Sequence, residues 1–301
     1  MTADRASCSG TGLPTRPPHG IVADMTDDPS ATSGTRAAAP AASPTQFGPA
    51  LITHLEHMYA SPQAVAQRKR FRQLVAARPG ETGVDIGCGL AHLSSELAGD
   101  VAPNGRIVGI DSSADMLAAA QRRVASQGLT ASVELRAGDA TRLDLPDAIA
   151  DFAVVVQVYS YVPDVAAAIV EAARVLRPGG RLAILDTDWD QCVYASADDA
   201  RTRRMIDGRW RFAHPHLPRQ LHGLLRAAGL TLRTCEVFPI VETRYDPDSF
   251  GASLTEVCRN AAVRHGVDAG DADAWVADIR SRSGDGEYFF SVNRTMFVAD
   301  K

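Results

Sequence analysis

Between residues 83 and 185, five short apolar segments alternate with amphipathic ones, and this alternation constrains the fold more than any other feature of the chain. Residues 83–86 (GVDI), 106–110 (RIVGI), 133–136 (VELR), 152–158 (FAVVVQV) and 181–185 (RLAIL) read as strands. The segments between them, 93–97, 114–126 (ADMLAAAQRRVAS) and 164–176, repeat apolar side chains at helical spacing, and Pro178-Gly179-Gly180 stops the last of these helices. The continuous run at 152–158 is what a central strand buried on both faces requires. Strands separated by crossover helices give βαβ units, so the expected fold is α/β, doubly wound around a mostly parallel sheet.

The flanks differ. Residues 1–45 consist mainly of Ala, Pro, Ser, Thr, Gly and Asp and hold too few large apolar side chains to offset the entropy of ordering, so a disordered tail is expected. Residues 46–80 carry two helical patterns, one through Leu51, Leu55, Met58 and Tyr59, the other over 64–77, closed by Arg78-Pro79-Gly80. Beyond residue 190 the reading is a helix at 222–228, a strand at 232–241, inserted helices at 249–264 and 273–279, and a final strand at 288–298.

Composition excludes several classes. The net charge is −5, and basic residues are scattered rather than gathered in a stripe, which opposes a nucleic-acid partner. The five cysteines are far apart with no CxxC pair, so neither a disulfide framework nor a metal site is expected. Apolar runs fall far short of a membrane span, and the first residues lack the basic-then-apolar pattern of a signal peptide, so a cytoplasmic protein is the expectation.

The chemistry gathers at strand ends. Residues 84–89 (VDIGCG) put Gly87 and Gly89 at a strand-to-helix turn, where missing side chains let a ligand approach the backbone. Asp111 follows 22 residues after Gly89 at the carboxyl end of the second strand, placed to accept both ribose hydroxyls of a nucleoside. Capping of the next helix is left to Ser112 and Ser113. Asp139, within Gly138-Asp139-Ala140, closes the third strand and could accept an adenine amino group or form a local turn with Thr141. A nicotinamide enzyme would need a small third residue in G-x-G-x-x-G; this chain has His92 there.

These motifs, with VGIDSSADML (108–117), the GDA triplet (138–140), FAVVVQV and RVLRPGGRLAILD (174–186), resemble the class I S-adenosylmethionine-dependent methyltransferases over residues 50–190. Within that family the branch of ubiquinone and menaquinone C-methyltransferases and other small-molecule enzymes is most similar. The resemblance implies a seven-stranded Rossmann-like sheet with one antiparallel strand, helical insertions that form a substrate lid, and S-adenosyl-L-methionine as cofactor. It implies that Asp85 and the Gly87-Cys88-Gly89 loop hold the methionine part of the cofactor. Asp111, with Ser112 beside it, would bind the ribose, and Met116 would lie against the adenine. Asp139 and the Ala140 backbone, following Gly138, would read the adenine edge, while Gln157 and Val158 would sit beneath the sulfonium. Residues 81–190 would be the cofactor-binding core and 191–301 would hold the acceptor-binding insertions and last strands. Ala91 replaces a glycine common in the family, a change expected only to tighten the loop.

Methyl transfer is an in-line displacement that needs alignment above all, and a base only where the acceptor keeps its proton. The acceptor expected is a small aromatic, quinone-like or secondary-metabolite molecule, methylated on hydroxyl or carbon. Alternatives are a protein or nucleic-acid methyltransferase and a cofactor-binding protein without transfer activity. Tyr59, Tyr159, Tyr161, Trp189, Trp210, Phe212, Tyr245 and Phe289 are candidate pocket residues or simply core. Among the eight histidines, His214 and His216 lie on the segment entering the helix after the fifth strand and are the candidate bases.

Overall fold

The computed structural model describes residues 49–207 and 212–301; the tail at 1–45 and Trp210 lie outside the described residues. Seven strands form one sheet in the order β3-β2-β1-β4-β5-β7-β6. The strands are β1 (Thr82–Ile86), β2 (Arg106–Asp111), β3 (Val133–Ala137), β4 (Ala150–Val156), β5 (Leu176–Tyr194), β6 (Thr231–Glu242) and β7 (Phe290–Asp300). Neighbours from β3 through β5 pair in parallel, and β7 runs antiparallel between β5 and β6. The expected architecture is therefore present.

Alternate residues of the central strands feed two cores. Ala153 and Val155 of β4, with Leu182 and Ile184 of β5, pack on one side against α5 (Val165–Val175) and α7 (Pro218–Ala227). Phe152, Val154, Ala183 and Leu185 pack on the other side against α2 (Pro62–Val75), α3 (His92–Val101) and α4 (Ala114–Ser126). Three of these helices start where the sequence supplies an acceptor for an orphan N–H: Ser61 caps α2 at Ala64, Ser113 caps α4 at Met116, and Asp164 caps α5 at Ala167.

A third cluster lies beyond the carboxyl ends of the parallel strands. It joins α1 (Pro49–Ala60), α6 (Asp199–Ile206), α8 (Phe250–Arg264) and α9 (Ala269–Asp285) to the far end of β5, through residues including Leu55, Met205, Phe250, Trp275 and Trp189. Leu90 and Met116 of the parallel core belong to the same cluster, so this helical layer abuts the glycine loop. No helix among the described residues is long and apolar enough to cross a membrane.

Three elements differ from the sequence reading. The strand at 181–185 extends to Tyr194, because β7, its antiparallel partner, runs far beyond the end of β4, its parallel one. Helix α6 was not anticipated; Asp198 caps it and Arg201 and Arg204 pair with Asp271 of α9. Strand β4 ends at Val156, and Gln157 turns out of it at φ 56° rather than continuing the run.

Candidate active site

The glycine loop folds over the end of β2: the Gly87 and Cys88 amides both donate to the Ile110 carbonyl, at 2.7 and 2.9 Å. Gly87 has φ 72°, and a Cβ there would lie 2.2 Å from Cγ2 of Val158. The loop after β1 thus touches the turn after β4, at the point where the order of strands reverses. Gly89, at φ 52°, differs, because its missing Cβ would enter open space. Ala91 is also left-handed, at φ 57°, with its methyl group fully buried. Replacing the family glycine therefore does more than tighten the loop. It places an L-residue in a conformation costing about 1–2 kcal/mol, offset by packing of the methyl group.

Two carboxylates flank this loop and a third, Asp186, lies two strands away at the end of the parallel part of β5. Asp85 is 2 % exposed and accepts a hydrogen bond from Ser94 Oγ at 2.5 Å. Burial, reinforced by the charge of Asp111, pushes its carboxyl up to about 7. Asp111 accepts from the Gly89 and Ser113 amides, both at 2.8 Å, so it ties the loop to the start of α4; burial raises it too. Asp186, fully buried at the end of the parallel part of β5, accepts from the Thr187 and Ser160 amides, and burial pushes it up to about 6. None of the three meets a basic side chain at ion-pairing distance among the described residues.

The other expected cofactor residues divide. Met116 is buried beside Leu90 in the cluster under the helical layer, and Ser112 is exposed next to Asp111. A Cβ on Gly138 would come within 2.7 Å of Ile110, so the chain passes tightly there, and Ala140 packs on the neighbouring core. Asp139 is exposed, and one of its oxygens is taken by the Thr141 amide and hydroxyl, each at 2.7 Å. It forms the local turn that its sequence allowed, and its second oxygen takes part in neither bond. Gln157 and Val158 do not end a strand as expected. They form the turn after it, with Val158 against Gly87 and the Gln157 amide group linked to Asp186 and Thr187.

The far side combines aromatic residues expected from sequence with Asp188 and Asp190, which were not singled out. Five steps along β5, from Thr187 to Cys192, span two along β7, from Arg294 to Val292, and this bulge carries Asp188, Trp189 and Asp190. Trp189 stacks on Phe212, with ring centroids 4.9 Å apart, and Phe212 meets Tyr161 at 4.6 Å. Tyr59 reaches in from α1; burial, with Tyr161 adding to it, pushes its phenol up to about 12. Tyr159 is core instead, with its hydroxyl on the Ala168 carbonyl. Tyr245 packs on Tyr288, and Phe289 is exposed.

The two candidate bases are separated by their partners. His214 Nε2 lies 3.1 Å from the Pro163 carbonyl, which can only accept, so that nitrogen carries the proton. His216 Nδ1 lies 2.9 Å from Asp188, leaving Nε2 as the acceptor. Asp188, Asp190 and His216 bring ligand atoms within 4.8 Å of one another, but Arg219 lies on both carboxylates and supplies the positive charge they call for.

Comparison with known proteins fits this arrangement. Residues 84–184 match the methyltransferase domain family. The match covers about a third of the chain and spans β1 to the first part of β5. An uncharacterized 37.1 kDa protein in transposon Tn4556 of Streptomyces fradiae is 37% identical over 199 residues, 65% of this chain and 56% of that protein. The demethylmenaquinone methyltransferase of Desulfitobacterium hafniense is 43% identical over 119 residues, 40% of this chain and 47% of that enzyme. The chain spans about half the length of these curated relatives. Phosphoethanolamine N-methyltransferase 2 of Haemonchus contortus, solved with S-adenosyl-L-methionine, has the same fold (TM-score 0.57, 18% identity, 86% of this chain and 58% of that one). The matched methyltransferase domain holds Asp85, the glycine loop, Asp111 and Gln157, whereas Asp186, Thr187, the β5 bulge and Arg294 lie beyond it.

Proposed function

We propose that the protein transfers a methyl group from S-adenosyl-L-methionine to a small-molecule acceptor. The observation that carries this reading is the pair of carboxylates beside an open glycine turn, Asp85 buried and Asp111 half-buried, neither with a cationic partner among the described residues. Burying carboxylates without a counter-charge is strongly unfavourable unless a cation completes the site. The methionine part of the cofactor bears two positive charges, on sulfonium and ammonium, and when bound it supplies the methyl group. Asp85 and Asp111 would hold the ammonium side and the ribose, the space beside Gly89 would take the ligand backbone, and Val158 against Gly87 would fix the floor. Aromatic residues Tyr59, Tyr161, Trp189 and Phe212 face this edge, and the demethylmenaquinone methyltransferase relatives favour an aromatic, quinone-like acceptor. The helical layer would act as its lid. A net charge of −5 supports an acceptor other than nucleic acid.

Asp111 tests the cofactor site. Hydrogen bonds to a charged group are worth about 1.5–3 kcal/mol each, and Asp111 would accept two from the ribose hydroxyls while anchoring Gly89. Calorimetry with S-adenosylhomocysteine should show affinity lowered at least about tenfold by Asp111→Ala and less by Asp111→Asn, which keeps one acceptor. Unchanged affinity in both variants removes Asp111 from the site.

Where the acceptor is a hydroxyl, His216 is the better base, since Asp188 orients its ring and leaves Nε2 free to accept. His216→Asn should then remove the acidic limb of the pH–rate profile with cofactor affinity intact, and His214→Asn should not. Retention of the wild-type profile by His216→Asn assigns the base elsewhere or makes carbon the acceptor.

A further inference from the structure

Arg294 lies on β7 opposite Thr187 and is 4 % exposed. One terminal nitrogen donates to Gln157 Oε1 and to Thr187 Oγ1, the latter at 2.5 Å. The guanidinium carbon stands 4.9 Å from the centroid of the Phe250 ring in the helical layer. Its Nε is buried with no hydrogen-bond partner, and the second terminal nitrogen bonds to no described residue. No carboxylate among the described residues lies within ion-pairing distance, and Asp186 acts on Arg294 only from farther away.

Arg181 shows what this chain does with a buried guanidinium that is purely structural. At 9 % exposure it is bound by both oxygens of Glu81 and by the carbonyls of Val75 and Ala76. Arg294 is more deeply buried and has only two neutral acceptors, both on one nitrogen. A guanidinium keeps its charge at any working pH, and a buried charge without a partner is unstable. Its free donors form a fork suited to a planar, two-oxygen anion or to one strongly charged oxygen. The guanidinium stands at the ends of β4 and β5, over the Phe250 ring and near enough to Tyr59 and Tyr161 for them to act on it, whereas Asp85 and Ser94 lie on β1 and α3.

We propose that Arg294 is the docking point for an oxyanion of the methyl acceptor, a carboxylate or an ionised phenol or enol. The identity of this ligand as acceptor rests on the methyl-transfer reading above. The cleft is then divided by charge, with carboxylates for the cationic donor and one guanidinium for the anionic acceptor. Gln157 and Thr187 are positioning residues that hold the guanidinium by one nitrogen and leave the others to the ligand.

The test uses the full chain saturated with S-adenosylhomocysteine and four probes read by ligand-observed NMR: benzoate against its neutral isostere benzamide, and 4-nitrophenolate against nitrobenzene. The wild type should bind at least one anion about tenfold or more tightly than its neutral counterpart, as a charge-assisted fork requires. Preference for benzoate marks a carboxylate acceptor, and preference for 4-nitrophenolate an ionised hydroxyl. Arg294→Met should abolish the preference, Arg294→Lys should keep part of it, and neither should change S-adenosylhomocysteine affinity more than about threefold. If Arg294→Met does not fold, Arg294→Gln and Arg294→Lys give the same reading, with preference lost in the first and kept in the second. No anion preference in the wild type overturns the proposal, as does preference that survives loss of the charge. A loss of S-adenosylhomocysteine affinity in Arg294→Met also overturns it, since the bound oxyanion would then be the cofactor carboxylate. If the wild type fails to bind S-adenosylhomocysteine at all, the methyl-transfer reading falls, while anion preference at Arg294 is still measurable on the free protein.

Discussion

Asp85→Asn is expected to stabilise the ligand-free protein above neutral pH while weakening its hold on S-adenosylhomocysteine more than about tenfold. The carboxyl of Asp85 is pushed up to about 7, first by burial and then by the charge of Asp111, against an ordinary value of 3.8. Between these two values the folded protein binds a proton that the unfolded chain has released, so stability falls as pH rises. The contribution is fully present below about pH 4 and is lost as pH passes through about 7. A shift of this size corresponds to a few kcal/mol, on the order of 1.4 per pH unit. Asparagine carries no charge and removes that loss, but it also weakens the charge-assisted bond from Ser94. The net gain at pH 8 should be about 2 kcal/mol, or roughly 5 °C in Tm for a domain of this size. Asp186, pushed up to about 6 by burial, has the same sign, so Asp85→Asn should flatten the fall in Tm between pH 4 and 7 without abolishing it. Differential scanning calorimetry across that range, with and without S-adenosylhomocysteine, reads both effects. A variant that keeps the wild-type pH dependence, or one that binds the ligand normally, sinks the idea that Asp85 is a charge held in reserve for a cation.

Much of this is legible in the chain because the relevant contacts are local. Helix α4 occupies residues 114–126 as read, because Ser113 caps it and its apolar stripe has one period. The relation of Asp85, Gly87, Gly89 and Asp111 follows from two adjacent parallel strands ending at one edge, which the βαβ pattern dictates. Gln157 and Thr187 meet through the parallel pairing of β4 with β5, and Arg294 joins them only because β7 inserts antiparallel between β5 and β6. That pairing is not encoded near any of the three. The sequence RLAILD places Asp186 at a strand end, but its complete burial is set by Gln157 and Ser160 of the turn after β4, which fold against it. Tyr159 shows the converse error. An aromatic side chain next to the site reads as pocket lining, yet the short helical turn after Val158 rotates it into the core.

Gly87→Ala is the other large change expected. Two independent penalties fall on this one methyl group. At φ 72° an L-residue is disfavoured by about 1–2 kcal/mol. The added Cβ would lie 2.2 Å from Val158 Cγ2 and 2.8 Å from its Cγ1, so the turn after β4 must shift. Overpacking of this kind costs about 1–3 kcal/mol. Together they predict a fall in Tm of roughly 5–15 °C and loss of measurable S-adenosylhomocysteine binding, because the Gly87 and Cys88 amides can no longer both rest on the Ile110 carbonyl. The steric part has a specific rescue. Val158→Ala removes the two methyl groups that the new Cβ meets, so the Gly87→Ala/Val158→Ala pair should regain about half the lost Tm, a non-additive coupling expected only of residues in contact. Binding should recover less than stability does, since the left-handed strain persists and Val158 is itself part of the proposed floor. Additive losses in the double variant would mean that Val158 yields freely, and the close approach of the β1 loop to the β4 turn would then not be what shapes the cofactor cleft.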